Sequence, residues 1–138
     1  RAILAGILSG VLTTLCSVLA LSLAFRLSHE EYVTLLPKSI TTAIGMGVSE
    51  ELGGYVTLTV AMIIITGILG NVIAVAVCRV FRIPEPIAKG VAIGSAAHAL
   101  GTAKAIEIGE VEGAMSGLSI VVAGLLTVAG ASVFANFL

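Results

Sequence analysis

The residues best suited to hold a small ligand lie in two short, glycine-broken stretches. In Gly90–Ala103 the only polar side chains are Ser95, His98 and Thr102, and in Ser39–Ser49 the central ones are Thr41 and Thr42. If Gly94–Thr102 is helical, Ser95, His98 and Thr102 share one face at i, i+3 and i+7. Glycine interrupts an apolar helix and frees backbone N–H and C=O groups, which survive in a membrane only beside protein or a water-filled cavity. Helix N-termini exposed in this way bind anions such as carboxylates, and freed carbonyls bind cations. Thr41, Thr42, Ser95, His98 and Thr102 are therefore the expected substrate-binding residues. His98 either meets a carboxylate or a proton as imidazolium, or stays neutral on a neighbouring carbonyl or hydroxyl.

Charged residues flank both stretches. Lys38 and Lys89 either draw an anion toward the segment starts or snorkel to the interface and set topology. Lys104 pairs with Glu107 or Glu110, or faces the cavity. Glu50 and Glu107 are candidates for coupling-ion or proton chemistry. Otherwise Glu50, Glu51, Glu107, Glu110 and Glu112 form a solvated face.

The elements that must position these groups belong to a membrane. Of 138 residues, 58% are hydrophobic and only 11% charged, against about 25% charged in a soluble domain. A net charge of −1 gives no basis for a nucleic-acid partner. Three uncharged runs, Ala2–Phe25, Leu52–Cys78 and Gly113–Leu138, each exceed the roughly 20 residues that cross a bilayer as helix. The first is also too long for a signal-peptide core of about 7–15 residues. The expectation is a single all-α, multi-pass transmembrane domain over 1–138, with three long helices and two short discontinuous or re-entrant segments. The chain begins at Arg1, so it is expected to be the C-terminal part of a longer protein.

Arg26–Pro37 and Arg79–Lys89 read as polar loops. Pro37–Phe81 and Pro86–Phe137 share an order of proline and lysine, a small hydroxyl-bearing segment, glutamates with glycine, then a long span. This predicts an internal repeat over about 37–81 and 86–137, and paired interrupted segments point to a transporter site. With five crossings, Arg26 and Lys38 share a side with Arg79, Arg82 and Lys89, while the glutamates fall opposite and only Lys104 is misplaced. Re-entry of each short segment would instead put Arg26 and Arg79 on opposite faces. Five crossings fit the charge bias better.

Gly6 and Gly10, Gly67 and Gly70, and Gly113 and Gly117 are expected to let helices pack closely, and Asn71 and Asn136 to bond between helices. Cys16 and Cys78 lie in apolar runs as small hydrophobes, without metal spacing. No hydrolytic or metal-binding constellation appears, so no enzyme, metal or cofactor is expected.

In order, Pro37-Lys38-Ser39-Ile40-Thr41-Thr42, Ser49-Glu50, Gly53-Gly54, Ile87-Ala88-Lys89-Gly90, Gly94-Ser95-Ala96-Ala97-His98-Ala99-Leu100-Gly101-Thr102-Ala103, Glu112-Gly113-Ala114-Met115-Ser116-Gly117-Leu118 and Gly124-Leu125-Leu126-Thr127 resemble the LrgB/CidB family. A proline often stands in that family where this chain has Ala43, which leaves Gly45 and Gly47 as the breakers of the first segment. The resemblance covers essentially the whole chain and implies a longer protein in the bacterial cytoplasmic (inner) membrane. It implies a homo-oligomer and a small LrgA/CidA-type membrane partner. It also implies one of two functions. One is transport of small organic acids of the pyruvate or glycolate type, related to plastid glycolate/glycerate translocators. The other is a holin/antiholin-like protein that modulates murein hydrolase activity and autolysis. The interrupted segments favour a carrier for a small carboxylate.

Overall fold

Apolar runs that must satisfy their own backbone in lipid have one open-chain solution, the helix. The computed structural model describes residues 1–138 and contains α1 (Ala2–Phe25), α2 (His29–Leu35), α3 (Thr42–Glu51), α4 (Val56–Val80), α5 (Pro86–Ile108) and α6 (Glu110–Phe134), with a final 3-10 turn at Ala135–Phe137. Three of these, α1, α4 and α6 with its 3-10 extension, are long and apolar enough to cross a membrane.

The long helices are built inside out relative to a soluble bundle. Large side chains such as Leu58, Val72, Val121 and Leu125 face outward, while Ser22, Ser49, Thr59, Ser116 and Ser119 are fully buried. With lipid outside, helices associate through close packing of small residues and interhelical hydrogen bonds. A conventional apolar core does form where Ile7, Val11, Leu15 and Val18 of α1 meet Tyr32, Val33 and Leu36 and, from α6, Ala123 and Ala131.

Between the long helices lie two re-entrant hairpins. In α5 the helical path breaks at Ala97 (φ −130°, ψ 15°) and His98 (φ 41°, ψ −138°). The arms on either side fold back together. A Cβ placed on Gly101 would lie 3.0 Å from Ile93 Cγ2, although eight residues of straight helix span about 12 Å. Ile93 and Ala105 share a small core with Ala74. Lys89 and Ile108, at the two ends of α5, line one cavity with Cys78 and Arg79. The first arm runs alongside α6, with Gly90 against Glu112 and Gly94 against Ser116. The second arm returns antiparallel to α6, with Ile106 against Gly113 and Thr102 bonded to Ser116.

The other hairpin is made by α2, a turn and α3. Thr34 Oγ1 accepts from the Tyr55 amide at 2.7 Å, and the Thr59 hydroxyl bonds the Thr34 carbonyl at 2.9 Å and the Ser49 hydroxyl at 2.7 Å. This ties both legs to the start of α4. Further in, Gly45 packs against Ile63 and lies beside the Pro37 carbonyl. The turn Pro37–Thr41 is thus the tip.

Several expectations need correction. Arg26–Pro37 is not simply a polar loop: it holds α2, whose Ser28 and Glu31 form a reciprocal capping box and whose Tyr32, Val33 and Thr34 are buried. The second polar loop is shorter than Arg79–Lys89, because α4 runs to Val80 and α5 starts at Pro86. Gly45 and Gly47 do not break the first segment, since both sit within the regular helix α3. Nor do glycines break α5: Gly90 and Gly94 admit the backbone of α6, and the break falls at Ala97–His98. The five-crossing path gives way to three crossings and two re-entrant hairpins. Arg26 therefore lies at the opposite end from Arg79. Glu107, Glu110 and Glu112 share the Arg79 end, and Glu112 is buried rather than solvated.

Candidate functional site: two hairpin tips at Ile63

Ile63, about a third of the way along α4, touches both hairpins. Its side chain packs on Gly45 of α3, and its carbonyl accepts a hydrogen bond of 2.8 Å from His98 Nε2. A carbonyl only accepts, so Nε2 carries the proton and, in the neutral ring, Nδ1 is the free acceptor. The imidazole fits because Gly67 lies one turn further along α4: a Cβ there would approach His98 Cε1 to 2.6 Å. Gly70 likewise faces Ala97. Asn71 donates to the Leu100 carbonyl at 2.7 Å, so it does bond between elements, whereas Asn136 bonds Ser132 and Val133 of its own chain end.

Each tip ends in a helix N-terminus. At the first, Thr41 is the N-cap of α3 with extended backbone (φ −64°, ψ 146°), and its hydroxyl makes no capping bond to the helix. Thr42 follows at the first helical position. Lys38, within the tip, is half-buried and donates to the Ser39 hydroxyl at 3.0 Å. The ion pairs of the protein are Lys89–Glu112 and Lys104–Glu107, so Lys38 has no carboxylate partner. At the second tip, the amides that follow His98 open the returning arm of α5. The unsatisfied N–H groups of both starts carry partial positive charge.

The expected polar stripe of Ser95, His98 and Thr102 does not form, because the backbone break intervenes. Ser95 lies beside Gly10 of α1 and returns its hydroxyl to the Val91 carbonyl at 2.7 Å. His98 turns to α4. Thr102 bonds the His98 carbonyl at 2.9 Å and the Ser116 hydroxyl of α6 at 2.7 Å. The first tip thus carries Lys38, Thr41 and Thr42 ahead of Gly45, which packs on Ile63, and the second carries His98, bonded to the Ile63 carbonyl. The other candidates lie elsewhere. Lys89 is 4.0 Å from Glu112 at the base of the α5 hairpin. Lys104 pairs with exposed Glu107, and Glu50 is exposed at the far end of α3. Ser116 and Gly67, which fix the second tip, have no sequence signal beyond their small size.

The sequence profile of the LrgB-like family matches residues 1–137. Holin-like protein CidB of Staphylococcus aureus (strain N315) is 42% identical over 125 residues, covering 91% of this chain and 55% of CidB. Holin-like protein CidB of Staphylococcus epidermidis (strain ATCC 12228 / FDA PCI 1200) is 38% identical over 125 residues, 91% of this chain and 55% of that protein. Antiholin-like protein LrgB of Bacillus cereus (strain B4264) is 35% identical over 136 residues, 99% of this chain and 59% of LrgB. The chain therefore spans little more than half the length of these relatives. No solved structure matches it. A membrane-type helical chain with this profile along nearly its entire length belongs to the LrgB-like family.

Proposed function

We propose that the protein carries small organic anions, of the pyruvate or glycolate type, across the membrane at the two hairpin tips. The observation that supports this reading is the arrival of both tips, from opposite ends of the bundle, at Ile63. Two helix N-termini within the span favour a carboxylate, and the lysine without an acidic partner supplies a full positive charge nearby. The hydroxyls of Thr41 and Thr42 add donors, and His98 Nδ1 can take up a proton with the anion. Two hairpins, α2 with α3 and the two arms of α5, each precede a long helix and enter from opposite ends, an arrangement that suits alternating access. In a bacterial inner membrane, the excess of Arg79, Arg82, Lys89 and Lys104 at one end, against Arg26 at the other, favours the Arg79 end as the cytoplasmic one.

The test is uptake of labelled pyruvate, lactate, glycolate and glycerate into proteoliposomes of the full-length protein, with and without a small LrgA/CidA-type partner. Saturable uptake of at least one acid is expected, and His98→Ala should abolish it while assembly persists. Absence of uptake across the panel ends the carrier reading.

The names of the relatives favour a second reading, a holin/antiholin-like oligomer that modulates murein hydrolases. It predicts concentration-dependent leakage of unrelated dyes from the same vesicles. Selective uptake without leakage counts against it.

A further inference from the structure

We propose that the cleft between α4 and the first arm of α5 binds an anionic phospholipid, headgroup at Arg79 and Arg82 and one acyl chain along the cleft. Three cavities meet there, sharing Cys78 and Ile83 where they join. Two form the mouth, of about 250 Å³ and about 260 Å³, and carry Arg79, Arg82 and Lys89. The third, about 180 Å³, is an almost wholly apolar slot walled by Ile73, Ala74, Val77, Ala92, Ile93 and Ala96. It runs inward from Cys78 to Gly70 and Ala97, beside the second tip.

The charge pattern selects the occupant. Arg79 and Arg82 have no carboxylate partner, and Lys89 has only Glu112 at 4.0 Å. A soluble anion would be served by the mouth alone and would leave the slot empty. A phosphodiester headgroup with an acyl chain fills both, with guanidinium forks suited to phosphate oxygens. Val80 and Phe81, 75% and 71% exposed, extend the apolar surface beside the mouth. Basic pockets between spans at a membrane interface bind anionic headgroups on the same principle. The slot ends against Ala97, so an acyl chain there would buttress the bend in α5.

The experiment is native mass spectrometry of the purified chain in detergent, titrated with phosphatidylglycerol, phosphatidylcholine or inorganic phosphate. Phosphatidylglycerol should bind in preference to phosphatidylcholine. Arg79→Gln and Arg82→Gln, both on exposed side chains, should each weaken it about fivefold. Ala92→Phe fills the slot without changing charge and should weaken it as well. Equal binding of the two lipids, or unchanged binding in both arginine variants, overturns the proposal. So does binding of inorganic phosphate at the same arginines with Ala92→Phe without effect, which would make the mouth a soluble-anion site.

Discussion

His98 combines a backbone conformation with a hydrogen bond, and the two can be separated by mutation. With φ 41° and ψ −138° it occupies a region that L-residues rarely adopt, at a cost of order 1–3 kcal/mol. The bond from Nε2 to Ile63 and the cradle at Gly67 hold it there. His98→Ala keeps the strain and loses the bond. His98→Gly also loses the bond but tolerates positive φ, so it should be more stable than His98→Ala by about 1 kcal/mol, read as a higher melting temperature in detergent. Both should lack uptake if the imidazole serves the anion, and an active His98→Gly would make the residue a backbone device only. Sequence already singles out His98 as the ionisable residue within an apolar stretch. Its torsion angles are not legible there, because positive φ is rare even at histidine and tertiary contacts impose it here.

At the scale of elements, the glycines of α3, α5 and α6 divide into those that are packed against and those that are free. A Cβ on Gly94 would sit 2.8 Å from Ser116 Cα, and one on Gly90 2.5 Å from the Glu112 carbonyl oxygen. Backbone cannot yield as a flexible side chain can, so Gly94→Val should destabilise by about 1–3 kcal/mol. Gly47 and Gly117 face nothing within 4 Å. Gly47→Ala and Gly117→Ala should leave stability unchanged or raise it by about 0.5–1 kcal/mol, and thermal melts of the three variants side by side check the contrast. The three long spans are legible in the sequence because length and apolarity suffice to define them. The capping box at Ser28 and Glu31 was equally available as a signal for α2. The hairpins are not legible in the same way. Glycine marks both where a helix stops and where another helix approaches, and only the packed partner distinguishes the two.

At the scale of the molecule, three crossings place Arg26 and Arg79 at opposite ends. Single cysteines at these positions, in a Cys16→Ser/Cys78→Ser background, should react with an impermeant maleimide from opposite faces of sealed vesicles. Reaction of both from one face would restore the five-crossing path. Charge bias points the other way because five crossings gather the basic residues on one side and set the glutamates opposite, but glutamate weighs little in orientation. Glu107, Glu110 and Glu112 can therefore sit beside Arg79, and Glu112 can be buried against Lys89.

The hairpin in α5 also fixes an order of assembly. Its first arm lies along residues of α6 that follow it in the chain, Glu112 and Ser116, and its tip bonds Ile63 of α4 that precedes it. Neither arm is long enough to cross the bilayer, and both ends stay on one face. The segment therefore cannot settle as it leaves the ribosome. Its packing is complete only once α6 has been made, because α4 alone supplies one of its two walls. A nascent chain stalled before α6 is therefore expected to hold α1 and α4 in the bilayer with the second arm of α5 lacking its partner at Ser116.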